Sequence, residues 1–383
     1  MKRSLRFGAM ALSLALVAAA CGDDDKETDD TGTDTSADTG DTTDDTGGSD
    51  DPLKVAFVYV GPIGDAGWTK KHDDGRKALE AEFGDKVEVT FLETVPENDE
   101  QPFETLVDEG NDLIFGTSFG YMEPMLAVAE ANPDVCFEHA TGYKTADNMG
   151  TYFGAAEEAR YLSGIAAGHA TQNGKIGYVA AFPIPEVLRG INAFTLGARS
   201  VNPDATVQVV WTSTWFDPDV EKQAAESLTA EGVDVLAMHQ DTPSTGEAAA
   251  EADAKWLGYN DDMSSFQPEA WLTGPVWDWG PYYIETTRRL LEDGECRTDQ
   301  YYGSMADGMV GLASYGSSMD QAWIDHIDQV AATIIDGTFK PFTGPINNQA
   351  GEEVVPDGES PDLGTLLGMD YFVEGVIGDI PES

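Results

Sequence analysis

Five short segments of the chain place aromatic rings and carboxylates directly behind apolar runs. They are Gly61-Pro-Ile-Gly-Asp65-Ala-Gly-Trp68, Gly116-Thr-Ser118-Phe119-Gly120-Tyr121, Thr214-Trp215-Phe216-Asp217-Pro218, His239-Gln240-Asp241-Thr242 and Trp277-Asp278-Trp279-Gly280. Aromatic rings stack on the faces of a flat ligand. Carboxylates accept hydrogen bonds from its edge. One tryptophan behind one strand is ordinary packing, but the same pairing behind several strands points to a flat, aromatic-compatible ligand held without covalent chemistry.

Other chemistries were weighed against this one. Gly116-Thr-Ser118-Phe-Gly120 fits the G-x-S-x-G nucleophile elbow, with His139, His169, His239 and His326 downstream. Only two strand-like runs precede it, and no HGGG-type segment is present to build an oxyanion hole, so a Ser118 hydrolase is the lesser reading. His72 follows the first loop on a helix, where a structural histidine is the ordinary case. His239-Gln-Asp241 lacks metal-ligand spacing, and no segment has the central Gly and closing Glu of a calcium loop. No metal site and no cofactor are expected. Cys136 and His139 fall in an apolar run and read as core residues. Cys136 and Cys296 could pair in an oxidising compartment, although nothing in the sequence brings them together.

The elements that must position these loops alternate in type. Apolar runs at Val55–Val60, Val87–Leu92, Leu113–Phe115 and Val135–Ala140 read as strands. Helical patterns lie between and after them at Trp68–Phe83, Phe103–Asp108, Tyr121–Ala131 and Glu157–Thr171. The pattern then restarts, with strands at Ile176–Ala181, Val207–Trp211, Val233–Met238, Trp256–Tyr259 and Trp271–Val276. Its helices fall at Pro185–Ser200, Val220–Glu231 and Ser244–Ala254. Such alternation predicts an α/β protein with parallel sheets covered on both faces. Two units of about 100 residues predict two doubly wound lobes. In open parallel sheets, ligands bind beyond the carboxyl ends of the strands.

Composition narrows the function. The chain has 383 residues and 41% hydrophobic residues, enough for real cores. Lys plus Arg number 21 against 70 Asp plus Glu, a formal net charge of −49. That field repels phosphate backbones, so nucleic acid is not an expected partner. Residues 1–20 read as a secretory signal: Lys2, Arg3 and Arg6 precede an apolar segment and the small residues Ala18-Ala19-Ala20. Cys21 follows at the place of a lipoprotein-type lipidation site. Residues 21–52 are otherwise almost wholly Asp, Thr, Gly and Ser, which predicts a disordered tether spanning on the order of 30 Å. A lipid on Cys21 would hold the body at a bacterial cell membrane, facing the periplasm. The tether carries −12 and the signal +3; removing both from −49 leaves −40 on residues 53–383. A body so charged depends on screening by salt.

Several long segments together resemble one known family. VAFVYVGPIGDAGWTKKHDDGR, LIFGTSFGYMEP, FEHATGYK, NMGTYFGAAEEARYLSGIAAG, KIGYVAAFPIPEVLRGINAFTLGA and TWFDP are similar to the basic membrane protein family. These are purine-nucleoside-receptor-type substrate-binding lipoproteins of ABC transporters. The similarity covers nearly all of residues 53–383, including FTGPINNQAGEEV and MDYFVEGVIGDIP. It implies a type I periplasmic-binding-protein-like fold, two lobes joined by a hinge, closing over a purine held between two aromatics. It also implies an ABC permease as partner.

Carried over by position, the family's first-loop aromatic falls on Trp68, its first-loop Asp on Asp65, and the aromatic before its Asp-Pro on Phe216. Nucleoside-binding members hold ribose with an Asp and a later Lys. Their places are taken here by Asn260 and Trp277, so the charged ribose contacts are expected to be lost and Trp277 to fill the sugar's space. A free nucleobase, adenine foremost, is therefore expected over a nucleoside. A carboxylate such as Asp241 or Asp217 would accept from the exocyclic amino group, where a 6-oxo purine would set two acceptors against each other. The expected contact set is Asp65, Trp68, Ser118, Phe119, Trp215, Phe216, Asp217, Gln240, Asp241, Asn260, Trp277 and Asp278. The expected lobes are 53–171 with about 272–297, and about 172–271 with 298–345, followed by a C-terminal extension at 346–383. The alternatives are a nucleoside receptor or a ligand sensor of the same fold. In every case but the hydrolase, the chain captures its ligand and breaks no bond.

Overall fold

The computed structural model describes residues 51–381. The signal, Cys21 and nearly all of the tether lie outside the described residues. The first sheet is built from β1 (Leu53–Val58), β2 (Val87–Leu92), β3 (Leu113–Gly116), β4 (Cys136–Ala140), β5 (Met149–Gly154) and a late strand at Gln300–Gly303. All pair in parallel, and the spatial order is Gln300–Gly303, β5, β4, β3, β1, β2. Central strands of a sheet covered on both faces read as continuous apolar runs. Val55, Ala56, Phe57 and Val58 in β1 are all fully buried. The intervening helices are α1 (Trp68–Phe83), α2 (Gln101–Asp108) and α3 (Met122–Ala131).

The second sheet repeats the plan. Its strands are β6 (Lys175–Ala180), β7 (Thr206–Trp211), β8 (Val235–His239), β9 (Lys255–Leu257) and a terminal strand at Val376–Ile377. They are all parallel, in the order Val376–Ile377, β7, β6, β8, β9. Its helices are α4 (Ala156–Ala170), α5 (Pro185–Val201), α6 (Pro218–Ala230) and α7 (Ser244–Glu251). The doubly wound α/β expectation is met in both lobes.

The chain passes between the lobes three times, and the expected boundaries shift accordingly. It first leaves after β5, because α4 packs against α5 of the second lobe; residues 156–170 had been expected in the first. It returns through β10 (Pro275–Trp277) into α8 (Gly280–Asp293), which lies on α1. The strand Gln300–Gly303, β11, then pairs with β5, so the first lobe extends past residue 297. The third crossing runs through β12 (Val310–Leu312), antiparallel to β10, into α9 (Gln321–Ile335) against α4. The C-terminal segment adds the hairpin β13 (Ile346–Asn347) and β14 (Glu353–Val355), the short α10 (Leu363–Leu367), and β15, the terminal strand Val376–Ile377.

Two differences from the sequence reading have physical causes. β5 was not anticipated because Met149-Gly-Thr-Tyr-Phe-Gly154 carries two glycines and no aliphatic run; all six residues are buried all the same. The strand expected over Trp271–Val276 is divided: Ala270, Leu272 and Thr273 hydrogen-bond in parallel beside Trp256 and Gly258, and the regular strand is Pro275–Trp277 in the crossing. There a Cβ on Gly274 would stand 2.5 Å from the Gly258 carbonyl oxygen, so two crossing segments touch backbone to backbone. Cys136 is not a free core thiol: it is bonded to Cys296, with Cα atoms 5.3 Å apart, tying the segment after α8 to β4.

Candidate ligand-binding site

The loops at the carboxyl ends of the strands of both lobes meet around a narrow cavity. From the first lobe come Val60, Trp68, Ser118, Phe119 and Thr141. From the second come Glu186, Trp215, His239, Asp241, Tyr259 and Asn260. The lobes are in close contact here: a Cβ on Gly67 would lie 2.8 Å from the Asp241 carbonyl oxygen. Only glycine lets the start of α1 approach the second lobe so closely.

Six of the twelve expected contacts line this cavity: Trp68, Ser118, Phe119, Trp215, Asp241 and Asn260. Trp68 is held by its indole N–H, which donates to the Thr117 carbonyl at 2.7 Å. The Asp241 carboxylate accepts from Asn260 Nδ2 at 2.9 Å. Burial, then the neighbouring Asp65, raises its pKa well above the usual range. The Ser118 hydroxyl donates to Glu97 Oε1 at 2.6 Å, while His139 Nε2 meets the Ser118 backbone carbonyl at 2.7 Å. No histidine therefore contacts the hydroxyl, and the nucleophile–base contact of a serine hydrolase is not formed.

The other six are placed elsewhere. Asp65 accepts the backbone N–H groups of Gly67, Thr69 and Lys70 at 2.8–2.9 Å and so starts α1. Asp217 caps α6 by accepting from Asp219 and Val220, as a residue before a Pro at the first helical position commonly does. Asp278 accepts from the backbone N–H of Gly280 at the start of α8. Phe216 is exposed, and its neighbour Trp215 supplies the ring at the cavity. Gln240 is buried and donates to Thr212 Oγ1 at 2.6 Å. Trp277 is 2% exposed, stacks on Trp279 and donates its indole N–H to Asn260 Oδ1 at 2.9 Å. It therefore supports Asn260 from behind rather than walling the cavity.

Five lining residues fell outside the expected set: Val60, Thr141, Glu186, His239 and Tyr259. Each follows or ends a strand or opens the next helix, so the rule that selected the other loops covers them. His239 Nε2 donates to Glu186 Oε1 at 3.3 Å. Burial, then Arg160 and Arg189, keeps this imidazole neutral by lowering its pKa well below normal. Burial raises the Glu186 pKa to about 7 against the pull of Arg189 and Arg160. Arg160 lies 3.6 Å over the Tyr259 ring and donates to the Met238 carbonyl. Thr141 and Asn260 adopt φ of 68° and 73°. Non-glycine residues rarely adopt such angles, and they cluster where a binding site over-determines the backbone.

Several buried polar atoms of these residues have no partner in the protein: Thr141 Oγ1, Trp215 Nε1, His239 Nδ1 and Tyr259 OH. Buried polar groups are nearly always satisfied, so unpartnered polar atoms on residues that line one cavity suit a ligand with polar edges. Apolar ring faces and a few convergent polar groups are the usual make-up of a small-molecule site.

Two parallel-sheet lobes, three crossings and a cleft at the strand ends define a periplasmic-binding-protein-like solute receptor. A solute-binding protein of an ABC transporter system from Aeropyrum pernix has this fold, with a TM-score of 0.65 at 18% identity over 82% of this chain and 95% of that one. Residues 53–339 match the family described as ABC transporter substrate-binding protein, PnrA-like, and the chain belongs to that family. A purine-binding protein of Brucella abortus is 44% identical over 336 residues, covering 87% of this chain and 95% of its own length. A Haloferax volcanii protein provisionally named an ABC transporter glucose-binding protein is 43% identical over 357 residues, covering 91% and 88%. The protein is thus an ABC transporter substrate-binding protein. Such proteins work outside the cytoplasm and deliver a small molecule to a permease. Among the described residues, no helix is long and apolar enough to cross a membrane.

Proposed function

We propose that the protein captures a purine nucleobase, adenine foremost, and presents it to its permease. The observation that carries this reading is the cavity itself, which Trp68, Phe119, Trp215 and Tyr259 line beside the Asp241 carboxyl group. Stacking a base on an aromatic ring contributes roughly 1–3 kcal/mol. The purine-binding name of the Brucella relative supports the same class. A base is favoured over a nucleoside because the Asn260 amide is committed on both sides, to Trp277 and to Asp241. Closure is the functional step: the lobes meet over the ligand, and release needs them to part.

The Haloferax relative's name favours a second reading, a sugar. Aromatic faces and carboxylates also suit a pyranose. Calorimetric titration of the 53–383 body with adenine, adenosine and glucose separates the readings. Adenine binding with weak adenosine and glucose supports the proposal; glucose binding alone overturns it. The anchoring part of the proposal is that Cys21 carries a lipid and residues 21–52 act as the tether. Mass spectrometry of the cell-derived protein finding an unmodified Cys21 would refute that part.

A further inference from the structure

The acceptors facing the cavity differ in how fully the protein uses them. Asp241 receives the Asn260 amide at 2.9 Å. Glu186, in the first turn of α5, has one hydrogen bond among the described residues, the 3.3 Å contact from His239 Nε2. Its side chain is 11% exposed. Burial raises its pKa, and the buried Arg189 and Arg160 pull the other way, toward the carboxylate. Of the two carboxyl groups that line the cavity, Glu186 has the longer protein contact, at 3.3 Å against 2.9 Å for Asp241. The Trp215 indole N–H, a donor only, has no protein partner.

A ligand that satisfies both groups must offer donors to a carboxylate and an acceptor to an indole N–H. Adenine carries a two-hydrogen amino group next to bare ring nitrogens. In a 6-oxo purine the same edge is reversed, with an acceptor at position 6 and an N–H beside it.

We propose that Glu186 is a specificity-determining ligand contact, whose carboxylate accepts from the exocyclic amino group and makes the site prefer a 6-amino to a 6-oxo purine. The proposal rests on the purine reading above. Asp241 then serves a second N–H of the base, and His239 orients Glu186 from behind.

The test is titration at pH 8 of wild type, Glu186→Gln and Glu186→Asp with adenine, hypoxanthine and glucose, with the melting temperature of each free protein recorded. Wild type is expected to prefer adenine to hypoxanthine by at least about tenfold. Hydrogen bonds to charged groups are worth enough that Glu186→Gln should weaken adenine on the order of ten- to a hundredfold. The Gln amide can turn its NH₂ toward a 6-oxo group, so hypoxanthine should hold or improve and the preference should collapse. Glu186→Asp keeps the charge and should keep the preference at lower affinity. A merely structural Glu186 predicts equal losses for both bases, and that result, or unchanged adenine binding, overturns the proposal alone. Wild type that binds glucose and neither base overturns the purine reading and this proposal with it.

Discussion

The Cys136–Cys296 bridge allows a stability prediction with a worked magnitude. It closes a loop of 160 residues, which includes the whole second sheet apart from β15. In the chain-entropy treatment, a loop of that length restricts the unfolded chain by about 5 kcal/mol at 25 °C. For a body of roughly 330 residues, the unfolding entropy is about 0.7 kcal/mol per kelvin, so removing the bridge lowers the melting temperature by about 7 °C. The bridge lies at the start of β4, whereas Thr141 meets the cavity just beyond the end of that strand. The intervening residues span on the order of 15 Å. The Cys136→Ala/Cys296→Ala variant should therefore lose stability and keep ligand affinity within about twofold. Calorimetric melting and ligand titration read the two effects separately. A shift under about 2 °C would refute the loop argument, and a large loss of affinity would refute the view that the bridge is remote from the site.

Two further outcomes follow from particular residues. Glu138 is buried in β4, accepts the Tyr282 hydroxyl at 2.6 Å and has a pKa raised to about 8, first by burial. Because the folded value lies above the unfolded one near 4.3, its contribution is full below that value and is lost as pH rises toward 8. The loss amounts to roughly 5 kcal/mol; urea unfolding should show Glu138→Gln gaining on wild type between pH 5 and pH 8, and a constant difference would sink the assignment. At the cavity, Trp215→Ala should weaken ligand binding by about 1–3 kcal/mol, while Phe216→Ala changes it less than threefold; the reverse order by calorimetry would show that the wrong ring has been placed at the ligand.

Much of the architecture was legible in the chain. The apolar runs of β1, β3, β6 and β8 are continuous because strands buried on both faces need no polar side, while a helix such as α6 buries one stripe, Glu221, Ala224, Ala225 and Leu228. That alternation is local chemistry, and it fixes a parallel α/β arrangement with its ligand at the strand ends. Trp68, Phe119, Trp215 and Asp241 were found by looking there. What the sequence could not show was the direction each side chain takes and what it meets. Asp65, Asp217 and Asp278 follow strands just as Asp241 does, yet each is consumed by a helix start, which depends on backbone N–H groups only folding brings into reach. Trp215 and Phe216 are adjacent, and one turns inward while the other stays in solvent. Glu186 and His239 lie 53 positions apart and become partners because β6 and β8 are neighbours in the sheet. Cys136 and Cys296 meet because α8 returns the chain to the first lobe. Pattern and composition determined the class of protein, since they act over a few residues; which side chains line the cavity was decided by tertiary packing, which brings distant residues such as Trp68 and Asp241 to one place.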